Sequence, residues 1–146
     1  MSNALEQARE RRAGLRAAMG DVERSLASPA AGRTEAWVKT LAEDLRRLST
    51  ALDLHIEATE APDGLLADVV SSAPRLANRA DQARRDHQNL RYRLHTAQEA
   101  LTAGPEPDLH EVRERVVEVL AGIVHHRHLG ADLVYEAFNV DIEAAD

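Results

Sequence analysis

Three histidines lie at positions of this chain where the spacing of apolar residues otherwise places Leu, Ala or Val: His55, His87 and His126. Each falls on the apolar stripe of a different predicted helix. Neutral imidazole is the commonest metal ligand in proteins, and helix bundles build metal sites from inward side chains on facing helices. Because burying an unpaired polar side chain costs about 1–3 kcal/mol, three histidines on core positions predict one shared site.

Two carboxylates are near enough in the sequence to join these histidines. Glu60 lies beside the stripe that carries His55, and Asp132 follows His126 by six residues. Imidazole and carboxylate ligands suit one iron or zinc ion. The five side chains therefore form a candidate ligand set for a single metal.

The same pattern has an alternative interpretation in which no ion binds. His55 and His87 would then be core histidines that are satisfied by hydrogen bonds. The run around residue 126 would be partly a surface cluster. The spacing alone leaves open which member of that run faces the core, among His125, His126 and His128.

The composition indicates that long helices carry these side chains. The chain has 146 residues, of which 29% are charged and 3% aromatic, which is typical of one helical domain. Breaks rich in Gly and Pro separate four predicted helices at about residues 4–27, 34–60, 74–102 and 108–138. We predict a single all-α domain over residues 1–146, folded as an up-down-up-down antiparallel four-helix bundle.

Local signals predict where these helices begin and what lies between them. Thr34 is a good N-cap for the second helix, Pro74 suits the first turn of the third, and Asp108 caps the fourth. The apolar stretch 65–70 is expected to cover one end of the bundle. The acidic tail, residues 139–146, carries no pattern that predicts a defined structure.

One member of the first helix's stripe is an arginine, Arg12. In the predicted topology, Arg12 and the three histidines fall in the same half of the interior. The end of the bundle is roughly 12 Å from this position, which exceeds the reach of most side chains. We therefore expect Arg12 to be buried and paired with Glu60 or Asp132.

The composition also excludes several classes of function. A net charge of -7 with Arg and Glu interleaved argues against a nucleic-acid partner, because phosphate binding needs a clustered positive face. The absence of cysteine removes disulfides and thiolate metal sites. Without an apolar run of about 20 residues or a signal-peptide core, we predict a cytoplasmic protein with no membrane partner. No phosphate loop or nucleophile elbow is present, so we assign no catalytic residue and do not favour an enzyme.

The motifs resemble those of the hemerythrin-like, or HHE cation-binding, domains. The resemblance spans nearly the whole chain: four helices, a histidine within residues 54–60, the pair Asp86 and His87, and the stretch 126–132. It implies a four-helix bundle that holds a non-haem di-iron centre with His and carboxylate ligands. Family members use such a centre for oxygen binding, sensing or iron handling.

The chain departs from that family's pattern at three positions. Arg12 stands where the family has a helix-one histidine, Thr59 where it has a glutamate, and Gly130 where it has a helix-four carboxylate. A guanidinium offers no lone pair and repels cations. We therefore predict at most one iron or zinc ion per chain, with Arg12 and Thr59 modifying the site, rather than an intact di-iron oxygen carrier.

Two functions follow from these residues. The first is binding of a metal ion or a small ligand inside the bundle. Its predicted ligands are His55, His87, His126, Glu60 and Asp132. The second is a non-catalytic interaction or structural bundle that binds no metal because Arg12 fills the inherited site. A homodimer is compatible with either function, and the sequence specifies neither the metal nor a protein partner.

Overall fold

The computed structural model describes residues 3–143, so residues 1 and 2 and the last three residues of the acidic tail lie outside the described range. All regular structure within residues 3–143 is helical, as predicted. The helices are α1 (Asn3–Ala27), α2 (Thr34–Glu60), α3 (Leu65–Ser72), α4 (Ala77–Leu101) and α5 (Leu109–Phe138), with a 3-10 turn at Pro74–Leu76. None of these helices is both long and apolar enough to cross a membrane.

Four long helices, α1, α2, α4 and α5, pack together around a main core. α1 packs on α2, α4 packs on α5, and α2 also contacts α4. The predicted stripe of α2 is confirmed, since its leucines at the four-three spacing are all 0% exposed: Leu41, Leu45, Leu48 and Leu52. Burial of each such side chain contributes roughly 1.5–3 kcal/mol, and this is what holds the helices together.

Capping by a side chain sets the start of α5 but not that of α2. The carboxylate of Asp108 accepts hydrogen bonds from the backbone N–H groups two and three residues on, at 3.0 and 3.2 Å. The N-cap predicted at Thr34 is wrong, because Arg33 occupies the cap position and Thr34 is already helical. The Thr34 hydroxyl instead donates to the carbonyl of Ala30.

The segment before α4 is divided differently from the prediction. Pro74 begins the 3-10 turn, and α4 starts at Ala77 rather than at the proline. Ala73 has φ -143° and ψ 79°, outside the helical region, because the proline ring clashes with a helical residue before it. The single predicted helix over 74–102 is therefore a turn followed by a helix.

A second apolar cluster closes one end of the bundle, as the stretch 65–70 predicted. It joins α3 to the ends of three long helices and to the tail, through Leu5, Ala8, Leu65, Leu66, Val69, Leu76, Ala80, Leu133, Val134 and Ile142. On α1, α4 and α5, the residues Arg12, His87 and His126 lie in sequence between members of the main core and members of this second cluster. A polar layer thus separates the two apolar clusters.

Residues 139–143, which we call the C-terminal segment, have a defined structure for which the sequence offered no pattern. Asn139 ends α5 in the left-handed conformation, with φ 56°, which asparagine tolerates well. The chain then turns back, and Ile142 is buried in the second cluster. The Arg9 guanidinium donates to the backbone carbonyls of Asp141, at 2.8 Å, and Ile142, at 3.1 Å.

Replacing the buried side chain of this segment should destabilise the whole protein. We expect Ile142→Ala to lower the free energy of unfolding by about 2 kcal/mol, the low end of the usual cost, because a terminal segment can relax into the space. Urea unfolding followed by circular dichroism measures the change. Val117→Ala on α5, where the side chain is 53% exposed, is the control and should shift stability by less than about 0.5 kcal/mol. Equal stability of both variants would show that the segment does not pack.

Candidate metal centre

α2, α4 and α5 each place one imidazole at the same point of the interior. The ring centroids of His87 and His126 are 4.6 Å apart. The ring centroid of His55 lies 5.3 Å from that of His87 and 5.6 Å from that of His126. All three side chains are buried. One ring nitrogen from each lies within 4.8 Å of the others. The predicted convergence is confirmed, and this group could hold a metal ion.

Helical spacing selects His126 from its run of histidines. His126 is buried, whereas His125 and His128 are exposed. On α5, His126 follows the fully buried Val119 and Ile123 by seven and three residues, so it shares their face of the helix. His126 is therefore the histidine of this run that faces the core.

Carboxylates stand behind two of the three rings. The Oε2 atom of Glu60 lies 2.5 Å from Nδ1 of His87. The Oδ2 atom of Asp86 lies 3.7 Å from Nδ1 of His126, an electrostatic contact longer than a hydrogen bond. Carboxylates at Nδ1 fix ring orientation and tautomer and direct Nε2 toward a metal. Glu60 and Asp86 are thus placed to orient the candidate ligands.

Both ring nitrogens of His55 are buried and have no hydrogen-bond partner among the described residues, and Nδ1 of His126 also lacks one. The nearby Thr59 hydroxyl is buried and hydrogen-bonds to the backbone carbonyl of His55, at 2.9 Å. Leaving a buried polar group unsatisfied costs about 1–3 kcal/mol. An ion at the ring would remove part of that cost.

Burial keeps the three imidazoles neutral. Desolvation lowers the pKa of His55 well below its ordinary value, and the charges of His87 and His126 would lower it further. Desolvation also lowers the pKa of His87, although the hydrogen bond with Glu60 opposes it. The pKa of His126 falls to about 4, chiefly through desolvation. Since neutral imidazole is the form that binds metals, the cluster has the required protonation state at neutral pH.

The two carboxylates predicted as ligands are placed differently from one another. Glu60 reaches the site, but its contact is with the His87 ring. Asp132 is exposed. Among residues 3–143, the group whose ligand atoms could share one ion contains the three histidines and no carboxylate. Direct ligation by Glu60 or Asp132 stays a prediction.

Arg12 is buried, as predicted, but its predicted partners are wrong. Its Nε donates to Oε1 of Glu143 at 3.1 Å, and its Nη2 donates to Glu143 and, at 3.1 Å, to the carbonyl of Arg127. Glu60 contacts His87 instead, and Asp132 is exposed. The return of the C-terminal segment brings Glu143 to Arg12. This pair partly neutralises a guanidinium that lies beside the histidines.

A cavity of about 30 Å³ adjoins the cluster. Its polar wall is made by Arg12, His55, Thr59, His87 and His126. Its apolar wall comes mainly from the second cluster, with Leu65, Leu66, Val69, Leu133, Val134 and Ile142. A space of this size holds one or two water-sized molecules. A small ligand next to the histidines therefore has room.

Two residues of the site were missed by sequence reasoning. Asp86 directly precedes His87 and looked like an ordinary helical residue, yet it faces the ring of His126 on the neighbouring helix. Glu143 lies in a tail without periodicity, and no local signal pointed to Arg12. The position of Asp86 next to a core histidine in the sequence was the signal that could have identified it.

Comparison with protein-family models, with curated proteins and with solved structures finds no match to this chain. Three neutral imidazoles converge, two carboxylates stand behind them, and a small cavity adjoins them. Such a set can bind a divalent cation and leave one coordination position for a small ligand.

In the metal-free protein, the histidines should make the fold sensitive to mild acid. A histidine whose pKa is about 4 when folded and about 6.5 when unfolded takes up its proton on unfolding. The free energy of unfolding is then highest above pH 6.5 and falls as the pH drops toward 4, by up to about 1.4 kcal/mol per pH unit for each histidine. Urea unfolding with a chelator present, from neutral pH to about pH 4, measures this profile.

The acid sensitivity is assigned by a matched pair of variants. His126→Leu removes one of the buried rings, so its profile should be flatter than that of the parent. His125→Leu changes the exposed neighbour, and its profile should follow the parent. Parallel profiles for all three proteins would show that the acid sensitivity has another source.

Proposed function

We propose that this protein binds one divalent transition-metal ion, zinc or iron, through His55, His87 and His126 inside a hemerythrin-like, up-down-up-down four-helix bundle. The observation that carries the proposal is the state of His55. Its ring is 3% exposed and has no partner at either nitrogen among residues 3–143. A buried imidazole in that state opposes folding, and an ion shared with the two adjacent rings gives it a partner.

The separation of the ring nitrogens suits an ion after a small adjustment. Nitrogens that share a tetrahedral ion at about 2.0–2.1 Å lie roughly 3.4 Å apart. The three nitrogens here are within 4.8 Å of one another. Each ring therefore needs to move inward by less than about 1 Å, which a change of side-chain torsion supplies.

The surroundings support one ion rather than two. Arg12 lines the same cavity as the histidines, and its guanidinium repels cations and offers no lone pair. Thr59 and Gly130 also line this cavity, and neither has a carboxylate to bridge a second ion. Glu143 pairs with Arg12 and offsets its positive charge. A single cation can therefore bind beside the histidines.

The proposed activity is binding rather than catalysis. Three imidazole ligands leave a coordination position free, and the adjoining cavity is apolar on the side away from the ligands. A water or a small uncharged molecule fits that position. Glu60 and Asp86 increase the basicity of the rings that they contact, so they strengthen ligation without entering the coordination sphere.

The second candidate function is a bundle that has lost its metal. The observation that favours it is the position of Arg12, which is buried beside the histidines and held by Glu143 and by the carbonyl of Arg127. An arginine so placed can replace a metal ion as the positive charge of the polar layer. The protein would then act through its surface, on a protein partner or on a second copy of itself.

Metal content separates the two candidates. We expect one ion per chain by elemental analysis, after purification without chelator or after loading with zinc or, anaerobically, with iron. His87→Leu should abolish binding and leave the fold intact, because it replaces a buried polar group by an apolar one. His95→Leu is the control, since His95 lies on the same helix with its side chain 69% exposed. Two irons per chain would contradict the single-ion proposal, and no metal under any loading would favour the second candidate.

Replacing the arginine should strengthen metal binding. Arg12→His removes a positive charge beside the cluster and adds an imidazole, so we expect the dissociation constant for zinc to fall about tenfold. Arg16→His is the matched control. It deletes the same charge and also contacts Glu143, but its side chain is 65% exposed. Equal effects of the two substitutions would contradict a specific role of Arg12 in the site.

A further inference from the structure

Three arginines surround one carboxylate at the edge of the histidine cavity. Arg12 and Arg127 donate to Oε1 of Glu143, the latter at 3.1 Å, and Arg16 donates to Oε2 at 3.1 Å. We call Arg12, Arg16 and Arg127 the arginine triad. Both carboxylate oxygens are thus used, and among residues 3–143 the three positive charges of the triad pair with one negative charge.

Within the part of the chain that the structure describes, the triad holds more positive charge than its one carboxylate partner neutralises. The side chains of Arg12 and Arg127 are only 5% and 14% exposed. The Nε of Arg127 is buried without a hydrogen-bond partner among the described residues. Three guanidinium groups that share one carboxylate, together with the unused donor of Arg127, point to an anion-binding site.

Glu143 occupies that site at a point that solvent reaches. Burial raises the pKa of its carboxyl, but the hydrogen bond and charge of Arg12 and the charge of Arg127 outweigh this and lower it, so the group is ionised. Its side chain is 35% exposed, although that of its partner Arg12 is 5% exposed, so water reaches the carboxylate from one side. An external carboxylate can therefore compete with it.

Ile142, the residue before Glu143, occupies the apolar part of the same site. Ile142 is 2% exposed and lines the cavity with Leu65, Val69 and Leu133. Together, Ile142 and Glu143 present a short hydrocarbon group to the cavity and a carboxylate to the triad. A small aliphatic acid has the same two features in one molecule.

We propose that the arginine triad and the adjoining apolar cavity form a binding site for a small aliphatic carboxylate, which the C-terminal segment fills from within the chain. The ligand's carboxylate takes the place of Glu143 on the guanidinium groups, which bind carboxylates with charge-assisted hydrogen bonds. Its hydrocarbon chain takes the place of the Ile142 side chain. Binding displaces residues 142 and 143 and opens the cavity, whether or not an ion is bound to the histidines.

Methyl NMR of the full-length, metal-free protein tests this directly, with hexanoate as the ligand. The chain has three isoleucines, and labelling their δ1 methyl groups gives one signal from the cavity, Ile142, and two from the main core, Ile56 and Ile123. Hexanoate should move the Ile142 signal in a saturable way and leave that of Ile123 in place. Acetate should need at least tenfold higher concentration, because it lacks the hydrocarbon chain.

Variants assign the effect to the triad. Glu143→Gln removes the internal carboxylate and keeps its shape, so hexanoate should bind about tenfold more tightly than to the parent. Adding Arg16→Ala to that variant should weaken binding about fivefold. Arg24→Ala, an α1 arginine whose side chain is 73% exposed and pairs with Asp21, is the matched control and should leave the affinity unchanged.

Ile142→Ala provides a second route if Glu143→Gln does not fold. It empties the apolar part of the cavity and keeps the triad, so hexanoate binding measured by calorimetry should tighten. Failure of hexanoate to bind either the parent or the variant that folds would overturn the proposal. Phosphate binding as tightly as hexanoate, with the same shift of Ile142, would also overturn it, because only charge would then be recognised.

Discussion

Three adjacent imidazoles are desolvated inside this bundle, and the residues packed around them must accommodate the rings in their neutral form. Their ring centroids lie 4.6 to 5.6 Å apart in the bundle interior, where ionising any ring would place a charge against its neighbours in a medium that solvates it poorly. The rings therefore stay neutral, and the ring nitrogens of His55 have no hydrogen-bond partner within residues 3–143. The leucine core and the second cluster supply the apolar burial that keeps this polar layer in place, and the same neutrality makes the rings suitable metal ligands.

Arg12 differs from the imidazoles, because a guanidinium keeps its charge when it is buried and therefore needs partners. Glu143 and the carbonyl of Arg127 supply its partners. Packing of Ile142 into the second cluster is what positions Glu143, so the end of the chain is part of the site. In this short segment, Ile142 packs into the second cluster and lines the cavity, and Glu143 compensates the charge of Arg12. This connection explains why a chain with an arginine in its polar layer can still present three histidines to a common point.

The features that sequence reasoning predicted correctly are those with a local period. The four-three spacing of α2 placed Leu41 through His55 on one face, and the same pattern turned His87 and His126 inward. The partner of Arg12 could not be predicted, because Glu143 is 131 residues away in a tail without periodicity. Asp86 was missed because its role depends on the rotation of α4 relative to α5. Pro74 marked the start of helical structure, but the 3-10 turn that separates it from α4 at Ala77 had no local signal.

X-ray absorption at the zinc edge of the zinc-loaded protein identifies the atoms that bind the ion. If the three histidines hold it, the first shell contains three nitrogen neighbours at about 2.0–2.1 Å, accompanied by the outer-shell scattering of three imidazole rings from His55, His87 and His126. A shell made mainly of oxygen atoms, or one that contains fewer than three imidazoles, would contradict binding by the three histidines.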